Sequence, residues 1–117
     1  MDTRNKDSPV VYICSRYSGD VKRNTELACR YSRLAVECGY VPLTPHLLLP
    51  QFLSEETERE LAISMDLRFL TLCQELWVCG PEISEGMQRE IDRAAEMKIP
   101  IRRIEEEEIL CLQLPKA

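Results

Sequence analysis

The stretch Pro9-Val10-Val11-Tyr12-Ile13-Cys14 decides the fold. It is a continuous apolar run, rich in β-branched and aromatic residues, with no polar positions interleaved. Such a run reads as a strand covered on both faces, the kind found in parallel sheets. The turn-rich loop Ser15-Arg16-Tyr17-Ser18-Gly19-Asp20 follows it. Leu27, Ala28, Tyr31, Leu34, Ala35 and Cys38 then repeat at three- and four-residue spacing, predicting a helix that starts at Asn24 and stops at Gly39. Tyr40-Val41-Pro42-Leu43 is a second, short strand, and the prolines at 42 and 45 place it at a sheet edge.

Further along, Pro45-His46-Leu47-Leu48-Leu49-Pro50-Gln51-Phe52-Leu53 is apolar, bracketed by prolines and without a clean period, which reads as a loop with a purpose. Ser54 is placed to cap a helix whose first turn holds Glu55 and Glu56, with Leu61, Ala62, Met65, Phe69, Leu72 and Cys73 as its buried stripe. Glu75-Leu76-Trp77-Val78-Cys79 reads as a third strand. Ser84 caps a helix that buries Met87, Ile91, Ala94 and Ala95. Pro100-Ile101-Arg102-Arg103-Ile104 is a fourth strand, and Glu105 to Glu108 open a last short helix.

Alternating strands and helices predict an α/β sandwich around a parallel sheet of four strands, with room for a fifth, in the order 2-1-3-4. The strands are expected near 10–14, 40–44, 75–79 and 100–104. Residues 1–8 read as a polar lead-in and 9–117 as a single domain. In such sheets ligands bind at the carboxyl ends of the strands, which here selects the loops 15–23, 44–53 and 80–86.

Composition bounds the function. Lys plus Arg number 15 against 20 Asp plus Glu, a net charge of −5. An acidic chain has no general attraction for nucleic acid or anionic membrane, so neither is an expected partner. No apolar run approaches the roughly 18 residues of a membrane span, and the polar N-terminus has no signal-peptide core, so the chain is expected in the cytoplasm. The six cysteines lie in apolar segments without a CxxC, and there is one His. They read as buried free thiols in a reducing compartment, with no metal and no cofactor.

Three sets of residues suit chemistry. Ser15, Arg16, Ser18 and Gly19 offer hydroxyls, a guanidinium and backbone N–H groups ahead of a helix, an arrangement that suits phosphate or simply forms an ordinary loop. Neither GxGxxG nor GxxxxGK[ST] occurs. Ser84 and Gly86 begin a helix, where Gly costs about 1 kcal/mol relative to Ala but admits a ligand to the helix end. Glu90 shares a helix face with Met87, Ile91 and Ala94; a carboxylate there needs a partner or a job, unless it pairs with Arg89 or Arg93. Asp66 sits mid-helix, where Asp is disfavoured, either as the second member of a carboxyl pair for glycosidic-type cleavage or as a surface partner of Arg59 or Arg68. His46, the single histidine, is a structural hydrogen-bonder, a ligand contact or a catalyst.

Taken in order, the strand carrying Tyr12, the Ser/Arg loop, the mid-helix Asp66, the strand Glu75-Leu76-Trp77-Val78 and the run Ser84-x-Gly86-x-x-x-Glu90 resemble the nucleoside 2-deoxyribosyltransferase-like superfamily, which includes the 2′-deoxynucleoside 5′-phosphate N-hydrolases. The resemblance spans most of residues 9–104. It is tighter still to small bacterial and phage domains of that superfamily, which share segments like Tyr12-Ile13-Cys14-Ser15, Pro45-His46-Leu47-Leu48 and Ile83-Ser84-Glu85-Gly86-Met87. It implies a flavodoxin-like three-layer sandwich, a small-molecule nucleoside or nucleotide ligand and a homodimer. It also implies Glu90 as the carboxylate that attacks the anomeric carbon, Asp66 as the acid that helps the base leave, Tyr12 as the residue orienting Glu90, and Ser84 as a phosphate contact. Three functions follow: hydrolysis of the N-glycosidic bond of a (deoxy)nucleoside 5′-phosphate, nucleotide binding without turnover, and deoxyribosyl transfer. Two departures stand out. Arg16 precedes Ser18, where the hydrolases have Ser before Arg, and no Asn lies near the C-terminus, where the transferases use one.

Overall fold

The computed structural model describes residues 6–115. Most of the lead-in read at residues 1–8 therefore lies outside the described residues. Four parallel strands, β1 (Val10–Cys14), β2 (Val41–Leu43), β3 (Glu75–Cys79) and β4 (Ile101–Ile104), form one sheet in the order β2-β1-β3-β4. Helices α1 (Val21–Glu37), α2 (Pro45–Leu48), α3 (Arg59–Leu70) and α4 (Glu85–Glu96) connect them, and a 3-10 turn at Glu106–Ile109 follows β4. The α/β sandwich and the strand order are those the sequence predicts.

Because side chains alternate across a strand, the two faces of β1 enter different cores. Val11 and Ile13 join Tyr31, Ala35, Trp77, Ile104 and Ile109 on the α1 side. Tyr12 and Cys14 join Leu70, Leu76, Val78, Met87 and Ala94 on the side of α3 and α4. This alternation aims Tyr12 and Cys14 at α4. The chain changes direction across the sheet between the neighbours β1 and β3, so their trailing loops diverge there and leave a crevice.

Several elements differ from expectation. Helix α1 starts at Val21, a turn before Asn24, because the Asp20 side chain accepts from the Arg23 amide at 3.1 Å and caps it. Asn24 instead donates to the Tyr17 and Ser18 carbonyls. The segment 45–53 is not a loop: Pro45 occupies the first turn of α2, where a missing N–H costs nothing, and a 3-10 turn, Leu49–Gln51, continues it. Ser54 caps only an isolated turn, accepting from Thr57 N at 3.3 Å, and α3 proper begins at Arg59. The buried face of α3 is Ile63, Asp66 and Leu70, one residue out of phase with the expected stripe, and Leu61 and Leu72 are exposed. On α4, Met87, Glu90 and Ala94 are buried while Ala95 is exposed.

All six cysteines are free, but only Cys14, Cys73 and Cys79 are buried. Cys38 ends α1 and Cys111 follows the last 3-10 turn, so both lie exposed beyond the packed face of their elements. Among the described residues no helix is long and apolar enough to cross a membrane.

Candidate functional site

At the carboxyl end of the sheet, α2, α3 and the start of α4 enclose a cleft lined by Tyr17, Ser18, His46, Asp66, Ser84, Gly86 and Glu90. Leu49, Pro50 and Leu53 supply its apolar wall. The apolar segment 45–53 thus helps to build the site, as a helical wall.

Glu90 is the floor. It is 2% exposed and makes no ion pair with Arg89 or Arg93, which pair with Glu60 and Glu96 instead. Tyr12 donates its hydroxyl to Glu90 Oε2, and the Cys14 thiol donates to Oε1 at 3.3 Å. Asp66 is 5% exposed and reaches the same cleft, and its Oδ1 has no hydrogen-bond partner. The surface pairings with Arg59 or Arg68 do not form: Arg59 stands by Glu55 at the mouth. Burial of the pair in a shared pocket disfavours charge on both. Burial holds the Asp66 carboxyl up at about 7. Burial, then the nearby Asp66, raises Glu90 to about 8, against the pull of its Tyr12 and Cys14 hydrogen bonds. The Tyr12 and Cys14 protons are held more tightly than usual, first by burial and then by the Glu90 charge.

His46 packs its ring near that of Tyr17, with centroids 5.7 Å apart. Burial lowers its pKa to about 4, against a hydrogen bond with the Ser15 main chain, so the imidazole is neutral at physiological pH. Its Nδ1 is buried and has no partner. His46, Asp66 and Glu90 each offer one ligand atom, all within 4.8 Å of one another.

Ser84 caps α4, its Oγ accepting from Met87 N at 3.2 Å. This places the free amides of the first turn, and Gly86, at the cleft.

The first loop divides. Ser18 lines the cleft, but Ser15 and Arg16 line a second cavity with Arg23, Tyr31 and Glu82. Arg16 forms an ion pair with Glu82, and Gly19 lies against the Arg16 side chain, so neither stands at the rim of the Glu90 cleft. The expected phosphate set Ser15, Arg16, Ser18 and Gly19 therefore does not converge. Sequence reading missed Cys14, although its position two residues after Tyr12 puts it on the same strand face. It named Arg59 only as a surface partner of Asp66, whereas Arg59 is part of the cleft lining.

Residues 9–104 match the model of a domain of unknown function (DUF7768), and the chain belongs to that family. No curated protein matches the sequence. Among solved structures, the chain is similar to a 2-deoxyribosyltransferase from the psychrotolerant bacterium Bacillus psychrosaccharolyticus. The TM-score is 0.63 at 16% identity, over 82% of this chain and 72% of that one. The fold is that of the nucleoside 2-deoxyribosyltransferases.

Proposed function

We propose that this member of the DUF7768 family hydrolyses the N-glycosidic bond of a nucleoside 5′-phosphate, as a cytoplasmic homodimer whose working domain is residues 9–117. The observation that carries the reading is the buried Glu90, held by Tyr12 and facing Asp66 in one cleft. The likeness in fold to a 2-deoxyribosyltransferase supports a nucleoside-sized ligand.

In this reading one proton is shared by the pair near neutral pH. Burial holds the Glu90 proton more tightly than the Asp66 proton, at about 8 against about 7. But the donors on both Glu90 oxygens stabilise its charged form, and the reacting state is the one in which Glu90 carries the charge and Asp66 the proton. A Glu90 oxygen attacks C1′ as the C1′–N bond breaks, and the electron pair leaves with the base, which takes the Asp66 proton. Water then attacks the glycosyl ester, giving one proton back to Asp66 and releasing the sugar phosphate and free Glu90. Oxygens of the two carboxyls lie within 4.8 Å. That is closer to the roughly 5–5.5 Å of double-displacement pairs than to the wider gap that leaves room for an intervening water. The α4 amides, Ser84 and Arg59 supply a positive edge for the phosphate.

The test is a panel of ribo- and deoxyribonucleoside 5′-monophosphates assayed for free base by chromatography. Release is expected for at least one member and should vanish in Glu90→Gln, with ligand binding kept within roughly tenfold, about 1.4 kcal/mol. Tight binding with no base released from any member overturns the enzymatic reading.

A further inference from the structure

We propose that His46, Asp66 and Glu90 together form a binding site for a divalent transition-metal ion of the zinc type, at the floor of the cleft. The inference goes beyond the hydrolytic reading and does not depend on it.

Hydrogen-bond supply is the first argument. His46, Asp66 and Glu90 each bring one ligand atom to within 4.8 Å of the others. The donors nearest the floor, the Tyr12 hydroxyl and the Cys14 thiol, are both already engaged with Glu90. On two of these residues a buried polar atom, His46 Nδ1 and Asp66 Oδ1, has no partner, a state that native proteins rarely leave unfilled. Asp66 is 5% exposed, so bulk water does not cover its loss.

Charge is the second. With both carboxyls ionised the floor carries two negative charges, and the imidazole beside them is neutral. Arg16 is paired with Glu82 outside this cleft, and Arg59, in the cleft lining, is paired with Glu55. A single divalent cation neutralises the pair where otherwise a proton must.

Geometry and preorganisation are the third. Ligand atoms within 4.8 Å of one another need only a small side-chain adjustment to surround a cation at the ~2.0–2.2 Å of zinc–nitrogen and zinc–oxygen bonds. The neutral imidazole is the form that ligates. The ligands are themselves held: His46 shares a hydrogen bond with the Ser15 main chain, and Glu90 is gripped by Tyr12 and Cys14. Outer partners of this kind orient metal ligands. One imidazole and two carboxylates select zinc, cobalt, manganese or iron(II) over calcium and magnesium. Three protein ligands leave a coordination position open for water or a ligand.

The experiment uses the full reduced chain, freed of metal with a chelator, titrated with cobalt(II) and followed by its visible absorption. One equivalent should bind with bands of a low-symmetry oxygen–nitrogen site, and zinc(II) should displace it. His46→Ala and Asp66→Asn should each weaken binding at least 100-fold, with circular dichroism confirming that they fold. Should Asp66→Asn fail to fold, His46→Ala decides alone. No saturable uptake, unchanged affinity in a folded His46→Ala, or a dominant thiolate-to-cobalt charge-transfer band each overturns the site. No nucleotide is present, so this outcome is separate from that of the hydrolysis assay.

Discussion

The hydroxyl of Tyr12, on the first strand, donates to the carboxylate of Glu90, on the last long helix, inside the protein. This bond ties the sheet to α4 and fixes which way the buried carboxylate points. A hydrogen bond to a charged buried group contributes about 1.5–3 kcal/mol. Tyr12→Phe should therefore lower kcat for base release by roughly 10- to 100-fold and leave the fold intact. Unchanged turnover would mean that Tyr12 only packs.

Gly86 separates packing from ligand approach. A Cβ built there meets nothing within 4 Å. Gly86→Ala should leave stability unchanged or raise it by up to about 1 kcal/mol. The methyl group would stand at the cleft, so nucleotide affinity should fall. Calorimetry on the pair of proteins reads both effects, and equal affinity would remove the α4 terminus from the binding surface.

The carboxyl pair makes stability depend on pH. Asp66 rises from 3.8 to about 7 on folding and Glu90 from 4.5 to about 8. The folded state therefore keeps protons that the unfolded chain loses. Stability is full below about pH 4, falls as pH rises through 7 to 8, and then levels. For Asp66 the ceiling is about 4 kcal/mol, at 1.36 kcal/mol per unit. His46, lowered from 6.5 to about 4, acts in the opposite sense, and its contribution is lost as pH falls from 6.5 to 4. Denaturant titrations of the wild type should thus show stability declining from about pH 4 to 8, most steeply above pH 6.5 where His46 no longer offsets it. Asp66→Asn should flatten the part of the decline below pH 7. Parallel profiles for the two proteins would place the Asp66 charge in solvent.

Thiol chemistry reports on the fold itself. Cys38 and Cys111 are exposed, whereas burial holds the Cys14, Cys73 and Cys79 thiols above their usual range. Ellman titration should count two fast thiols in the native protein and all six after denaturation without reductant. A denatured count near zero would mean disulfides.

The sheet was legible because β1 and β3 are uninterrupted apolar runs whose reading needs no long-range information. That Tyr12, Ser84 and Glu90 meet followed from strand order, whereas Asp66 was placed with them by the family resemblance. The phase of α3 was not legible. Leu61, Ile63, Met65, Leu67, Phe69 and Leu70 surround that helix with apolar groups, so periodicity picks no face, and the deciding contact is the polar Asp66 turned inward. Arg16 was misplaced for a different reason. A loop side chain goes to whichever charge the fold brings near, and Glu82 arrives from the loop after β3.

The two outer strands limit how copies of the chain can meet. On β2, Pro42 has no N–H to offer a newcomer. On β4, Ile101, Arg102 and Arg103 are exposed, and the two adjacent charged residues make that short edge a poor template for pairing. Both borders of the sheet thus resist extension by a strand from outside. Two copies cannot readily fuse into one continuous eight-stranded sheet. In the homodimer proposed above, contact through the helices would leave each crevice with its own complete set of strand ends.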